Sequence, residues 1–294
     1  MSLFKPFRLS LLIIVYLQAS IVCAEQYKLA IGAIFKNEKP YLKEWIDFHR
    51  LVGVNHFYLY DNLSTDNPKE VLDPYIKAGI VELIHWSRDY ETPEEWNKIQ
   101  CAAYNNALKR ARDVAHWIAF IDTDEFLYPV EKTNLITVLK NFDDYCGIVV
   151  NEQSFGTSKV YKIPQDKLLI ETLLYKAPLQ KKGFVKSIVQ PNWVIRFTNA
   201  RIPLFKKKYW GVNTNKEKSL KENGPIVMDK IRINHYWTRD ENYFYNTKLV
   251  SRKKRGFSDE KDFEEVDKSN SIKDTVILRF ASQLQEYLDA PSVN

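Results

Sequence analysis

The sequence predicts an α/β domain built on a mixed, mostly parallel central sheet flanked by helices. Two observations carry that prediction. From Lys28 to Ile121, short apolar runs alternate with longer segments of helical periodicity. Each run then ends abruptly on polar or acidic residues, as a buried strand does where its carboxyl end meets a loop.

Lys28 to Phe35 (KLAIGAIF) reads as the first buried strand. Asn37 to Leu51 follows as a helix, with Pro40 in its first turn and Leu42, Trp45, Ile46, His49 and Leu51 at roughly helical spacing. Gly53 stops it. Val54 to Tyr60 is a second strand ending at Asp61-Asn62, Glu70 to Ala78 a helix ending at Gly79, and Ile80 to Trp86 a third strand. Pro93 to Asp113 has the pattern of a long amphipathic helix, with Trp96, Ile99, Ala103 and Leu108 on one side. Trp117 to Ile121 (WIAFI) is a fourth strand, cut off by Asp122-Thr123-Asp124-Glu125. Beyond Pro129 the signals mix. Gly147 to Val150, Lys186 to Val189, Trp193 to Phe197 and Ile231 to Trp237 read as strands, Asp274 to Leu288 as a closing helix, and Lys206 to Pro225 as loop. With no repeat and no Pro/Gly linker, residues 25–294 are expected to form one catalytic domain after a leader at 1–24.

Of the 294 residues, 45% are apolar and 14% aromatic, enough for a sizeable core and incompatible with a disordered chain. The 43 Lys and Arg are interspersed with 37 Asp and Glu, giving +6. That argues against a dedicated nucleic-acid binder, which would gather its basic residues on one face. Lys206-Lys207-Lys208 and Arg252-Lys253-Lys254-Arg255 are the densest basic runs. They fit solvated loops, donor phosphate contacts or an anionic membrane surface.

Lys5 and Arg8 precede an apolar run from Leu9 to Cys23, and Val22 and Ala24 sit where a signal peptidase takes small residues. The run is shorter than the roughly 20 residues that span a bilayer. A cleaved signal peptide is the first expectation and a single-pass signal anchor the second, placing the domain on the secretory route or tethered to a membrane. Cys101 and Cys146 show no zinc spacing and fit either one disulfide or two buried thiols.

Ligands of open α/β sheets bind beyond the carboxyl ends of the strands. Glu38, Asp61, and Asp122 with Asp124 all fall at such ends. Two carboxylates two residues apart at the lip of an apolar strand repel each other unless a cation lies between them. Such oxygen donors suit magnesium or manganese, which also coordinate substrate phosphates. Asp61 either accepts hydrogen bonds from the base or ribose of a nucleotide donor or only begins the turn through Asp66. Lys36 and Glu38 either line the donor pocket or serve the helix start. His235, in Asn234-His235-Tyr236-Trp237 at the end of a strand, is either a ligand or, as a lone histidine more often is, structural.

These residues together resemble glycosyltransferase family 92, and more loosely the family 2-type enzymes of the GT-A fold. The likeness runs through Lys36-Asn37-Glu38, Tyr41 to Trp45, Gly53-Val54, Tyr58 to Asn62 with Ser64 and Asp66, and Gln100, Tyr104 and Asn105. It continues at Phe120 to Phe126, Phe155-Gly156, Lys186, Asn234 to Thr238 and Lys248. It departs at Asn151 to Gly156, which lacks an expected aromatic before Phe-Gly. The resemblance implies a nucleotide-sugar-binding GT-A domain and a divalent cation, Mn²⁺ or Mg²⁺. It implies transfer of a hexose such as galactose from a UDP-sugar to a glycan or other hydroxyl acceptor, and it adds His235 to Asp122 and Asp124 as a metal or diphosphate ligand. An inverting transfer needs a general base, for which Glu152 is the first candidate and Glu125 the second. Lys186 and Lys248 are candidates to neutralise the diphosphate. A metal-dependent phosphoesterase or nucleotidyltransferase would also use paired aspartates but normally adds ligands for a second metal, and the five histidines are scattered. A non-catalytic carbohydrate-binding protein is the other alternative.

Overall fold

The computed structural model describes residues 25–179, 182–219, 221–254 and 259–289. The expected alternation runs through β1 (Tyr27–Phe35), α1 (Lys39–Leu51), β2 (His56–Asp61), α2 (Lys69–Lys77), β3 (Val81–His85), α3 (Pro93–Ala111) and β4 (Ala115–Phe120). These four strands are parallel, in the order β3-β2-β1-β4. In β1, Leu29, Ile31, Ala33 and Phe35 share a core with Trp45 and Leu72, whereas Ala30 and Ile34 share another with Tyr104 and Ala107. A strand covered on both faces has no polar side, so its sequence is an unbroken apolar run. At Gly32 a side chain would meet the Phe120 ring at 3.0 Å and the Ala107 Cβ at 3.1 Å, so glycine lets α3 lie close on the sheet. The start of α3 is fixed by a reciprocal cap: Thr92 accepts from the Glu95 N–H, and the Glu95 carboxylate accepts from the Thr92 N–H.

The second half comprises β5 (Glu125–Pro129), α4 (Leu135–Leu139), β6 (Gly147–Ser154), α5 (Leu169–Thr172), β7 (Tyr175–Lys176), β8 (Lys182–Val189), β9 (Val194–Arg196), β10 (Leu204–Phe205), β11 (Asn223–Pro225) and β12 (Ile231–His235). The main sheet continues past β4 in the order β8-β6-β12-β5, with β11 paired to β8. Only β5 and β8 run against the others. After β12 come α6 (Glu241–Tyr243), a π-helical turn (Phe244–Lys248), α7 (Leu249–Lys254), α8 (Asp259–Ser269), β13 (Ile272–Lys273), a 3-10 turn (Val276–Phe280) and α9 (Ala281–Asp289).

Several details differ from the sequence reading. The strand beginning at Gly147 does not stop at Val150 but runs to Ser154, because β8 pairs with its first part and β12 with its second. Glu152 therefore lies within a strand rather than after one. Glu125 does not continue a loop; it opens β5, which the acidic residues before it conceal. The segment Glu241–Lys254 and α8 are helical, where the sequence reading placed no helix. Cys101 and Cys146 are two buried free thiols. The expected leader lies outside the described residues, and among those described no helix is long and apolar enough to cross a membrane.

One buried histidine ties the first helix to the second half. His49 is fully enclosed; its Nδ1 donates to the Trp45 carbonyl at 2.7 Å, and its Nε2 accepts the Leu127 N–H at 3.1 Å. Trp45 Nε1 donates in turn to the Glu125 carbonyl at 2.7 Å. Burial, partly offset by the Trp45 carbonyl, lowers the His49 pKa to about 3, so the folded ring is neutral. Below about pH 6.5 the unfolded chain takes up a proton that the folded chain refuses until about pH 3. Stability contributed by the neutral ring is thus lost as the pH falls, at up to about 1.4 kcal/mol per unit. Urea denaturation at pH 7.5 and 5.0 should show the native sequence losing about 2 kcal/mol more than His49→Gln. Equal losses in the two proteins would contradict the assignment.

Candidate active site

The carboxyl ends of β1, β4, β6 and β12 open onto one cavity of about 890 Å³. Lys36 and Glu38 line it from the end of β1, Asp122 and Asp124 from the end of β4. Glu152 and His235 reach it from β6 and β12, and Lys248 from the π-helical turn. Glu125 and Lys186 lie beneath its floor, fully or almost fully buried. A second cavity of about 710 Å³, lined by His56, Glu82 and Arg110, lies toward the amino ends of β1–β3. That is the end of a parallel sheet that rarely holds a ligand.

Asp61 is not in the cavity wall. Its Oδ1 accepts the Ser64 N–H at 3.0 Å, so it begins the turn. That turn has a supporting purpose. Ser64 Oγ accepts the Asn37 N–H at 2.9 Å, Asn37 Oδ1 accepts the Thr65 N–H at 2.7 Å, and Asp66 Oδ2 accepts the Lys39 N–H at 2.8 Å. Asn37 has φ +57°, a left-handed conformation that asparagine tolerates. The polar residues at the ends of β1 and β2 therefore form one hydrogen-bonded support for Lys36 and Glu38. Glu38 makes no cap to α1 but pairs with Arg239, whose guanidinium lies 3.5 Å over the Tyr41 ring.

The strand register delivers the rest. β12 runs antiparallel to β5 and parallel to β6, which puts His235 beside Glu125 on one side and Ser154 on the other. His235 Nε2 is 3.4 Å from Asp124 Oδ1, and its Nδ1 is 3.2 Å from Glu152 Oε2. Burial alone would lower the imidazole pKa, but Asp124 and Glu152 outweigh it and push it up to about 10. Asp124 stays well below the usual carboxylate range because Lys248, 3.4 Å away, and His235 overcome its own burial. Glu152 is likewise held low against burial, by His235 and by its ion pair with Arg201.

Asp122 faces different partners. Its Oδ1 accepts from Gln100 at 2.8 Å and Tyr104 at 3.2 Å, and its Oδ2 is 2.7 Å from Lys186 Nζ. Lys186 also approaches Glu125 Oε1 at 3.3 Å, while Glu125 Oε2 accepts the Asp122 N–H at 2.9 Å. Glu125 Oε1 has the ion-pair contact but no aligned hydrogen bond. Burial, opposed by Lys186 and reinforced by Asp122, raises the Glu125 pKa to about 8. Lys186 is thus committed to two carboxylates inside the protein, and Glu125 fixes the loop that carries Asp122.

Two donor sets converge on His235. One joins Glu125, Glu152 and His235, whose ligand atoms all lie within 4.8 Å of one another. The other joins His235 Nε2 to Asp124. The second faces the cavity and the first is partly sealed beneath it, since Glu125 is fully buried. The 3.4 Å separation of Asp124 and His235 is long for a hydrogen bond but close to the ~3 Å between adjacent ligands of an ion with ~2.1 Å bonds. Once its Nε2 proton is given up, the His235 imidazole beside the Asp124 carboxylate, with Glu152 orienting the far ring nitrogen, would fit a manganese- or magnesium-type site.

Sequence reasoning missed Arg201, Arg239 and the aromatic wall formed by Tyr90 and Trp96, whose rings are 4.8 Å apart. No local signal marks the two arginines. They lie in irregular segments and acquire their roles only from what folds against them.

Comparison with known proteins agrees with the resemblance read from the sequence. A family 92 glycosyltransferase of Ricinus communis is 29% identical over 171 residues, 56% of this chain and 29% of that protein. One from Oryza sativa subsp. japonica is 31% identical over 170 residues, 56% of this chain and 27% of that protein. A galactan β-1,4-galactosyltransferase of Arabidopsis thaliana is 30% identical over 134 residues, 44% of this chain and 26% of that protein. The matches thus span less than a third of each relative. The S. aureus TarS structure with UDP overlaps 63% of this chain and 60% of its own at 14% identity, but a TM-score of 0.38 is too loose to carry an inference. The model of glycosyltransferase family 92 matches residues 27–280, nearly the whole described fold. By that match, the chain belongs to glycosyltransferase family 92.

Proposed function

We propose that this chain transfers a hexose, galactose first among candidates, from a UDP-sugar to a glycan hydroxyl with the help of a divalent cation in a GT-A-type domain. The observation that carries the reading is the Asp124–His235 pair at the carboxyl ends of β4 and β12, at the floor of the cavity. The Arabidopsis relative is named for forming a β-1,4 linkage. UDP-galactose is α-linked, so a β product means inversion at the sugar carbon. The leader is read as taking the domain into the secretory route.

Asp124 and His235 would hold the ion, which when bound neutralises the charge of the departing diphosphate. The remaining steps belong to the chain. Lys248, already beside Asp124, supplies a cation to the diphosphate from the cavity wall. Tyr90 and Trp96 offer flat apolar surface for a base. Lys186 and Glu125 hold Asp122 in a fixed direction. Glu152, gripped by Arg201, orients His235 through Nδ1. Of the two carboxylates expected as general base, only Glu152 reaches the cavity, and its low pKa in this arrangement favours the orienting role.

Three measurements check this. With UDP-galactose and Mn²⁺, the purified protein should release UDP, and Asp124→Asn or His235→Gln should lower that rate at least about 100-fold. Phosphate release without a sugar donor would favour a phosphoesterase, and no turnover with any donor would favour a binding protein. Glu152→Gln should weaken Mn²⁺ binding by calorimetry about 10- to 100-fold. A collapse of kcat at unchanged Mn²⁺ affinity would instead make Glu152 the base. Lys248→Met should weaken UDP binding about 10- to 100-fold, the loss of one charged hydrogen bond of about 1.5–3 kcal/mol. Unchanged affinity would place the diphosphate elsewhere.

A further inference from the structure

The cavity does not end at the proposed donor site. A smaller cavity of about 130 Å³ continues from it, and the two share Glu152, Ser154, Phe184 and Glu265 in their walls. The extension adds Leu179 and Ile226 on its apolar side and Gln153 on its polar side. Of its lining, Glu152 serves the ion site by orienting His235, whereas the residues that the extension adds take no part in holding the ion or the diphosphate as proposed above.

Phe184 stands at the junction. In the antiparallel pairing of β6 with β8, Val150 faces Lys186 and Asn151 faces Val185. Phe184 lies just beyond the last of these rungs, where β8 pairs with Asn223 of β11, and shares a face of β8 with Lys186 because side chains alternate along a strand. Phe184 is 52% exposed, near the start of β8. Its ring is not loose. The Arg201 guanidinium lies 4.0 Å from its centroid, and Arg201 is itself anchored to Glu152. One face of the ring is thus occupied by a cation that is fixed in turn by the residue orienting His235.

We infer that Phe184 and the cavity beyond it form the acceptor subsite, which takes a pyranose ring of an oligosaccharide by stacking on the aromatic face. The inference rests on the transferase reading and deepens it. A sugar has one apolar face of C–H bonds and a rim of hydroxyls, and this pocket matches both. Phe184, Leu179 and Ile226 supply the apolar surface. Glu265, Gln153 and Ser154 supply groups that accept or donate hydrogen bonds at the rim. Glu152 and Phe184 both line the junction, so a saccharide stacked there extends its terminal hydroxyl toward the donor sugar. Arg201 couples the two halves, because it touches the platform and the Glu152 carboxylate at once.

Saturation-transfer NMR with β-1,4-galactotetraose, in the presence of UDP and Mn²⁺, tests the assignment, with calorimetric UDP binding measured on the same samples. The native protein should transfer saturation to the tetraose. Phe184→Ala should weaken that binding about 10-fold or more, Leu179→Ser should weaken it less, and Phe184→Trp should retain it. UDP affinity should stay the same in all three variants. If UDP binds but the tetraose does not, or binds equally well to Phe184→Ala, the acceptor subsite is overturned and the transferase reading stands. If UDP does not bind the native protein either, both fall together.

Discussion

A charge can be buried only beside its opposite, and the centre of this protein is built on that constraint. Lys186 lies between Asp122 and Glu125, His235 between Asp124 and Glu152, Arg201 against Glu152, and Arg239 against Glu38. Removing one partner from a buried pair costs about 3–5 kcal/mol, because it leaves the other stranded, whereas an exposed pair is worth less than about 1 kcal/mol. The pairs therefore hold each functional side chain in one direction. Their arrangement is also a chain of shared members: Glu152 serves both His235 and Arg201, and Asp124 serves both His235 and Lys248. A change in one carboxylate is felt by every cation that it balances.

The sheet explains why these groups meet. β1 to β4 form the parallel half, which brings Glu38 and the Asp122–Asp124 loop to one edge. The chain then reverses into β5, and β12 slots between β5 and β6. That insertion carries His235 across from a distant part of the sequence to within reach of Asp124. His49 and Trp45 brace β5 from behind through Leu127 and Glu125. The site is thus supported from below by apolar packing and neutral hydrogen bonds, and from above by ion pairs.

The helical turn that carries Lys248 sets a cation over the floor of the cavity. A π-helical turn interrupts the regular hydrogen-bond ladder and sets its side chains at an altered angle, a feature that recurs at functional sites. Here it brings the lysine against Asp124 from the opposite wall. Phe184 and Arg201 form the third side, and together the three walls divide the space into a charged end and an aromatic end. On the proposed reading, the charged end would take the diphosphate and the aromatic end the acceptor.

The alternation of apolar runs and helices, the strand carboxyl ends and the acidic triplet at Asp122 to Asp124 were legible because they depend on neighbours within a few residues. So was the family likeness, which rests on short blocks in a fixed order. The turn role of Asp61 was one of two readings, and only its bonds to Ser64, with those of Asn37 and Asp66, separated them. Which way each carboxylate faces was not legible. Asp122 turns to Lys186 and Asp124 to His235 through strand pairings 64 and 111 residues apart in the chain, and no local pattern encodes such a register. Arg201, Arg239 and Phe184 lie in segments whose sequence could equally belong to an ordinary surface. The sequence by itself determined the layers of the fold and the chemistry at its edge. Tertiary structure decided which charges neutralise one another, because electrostatic pairing depends on distance in space, and that distance is set by packing.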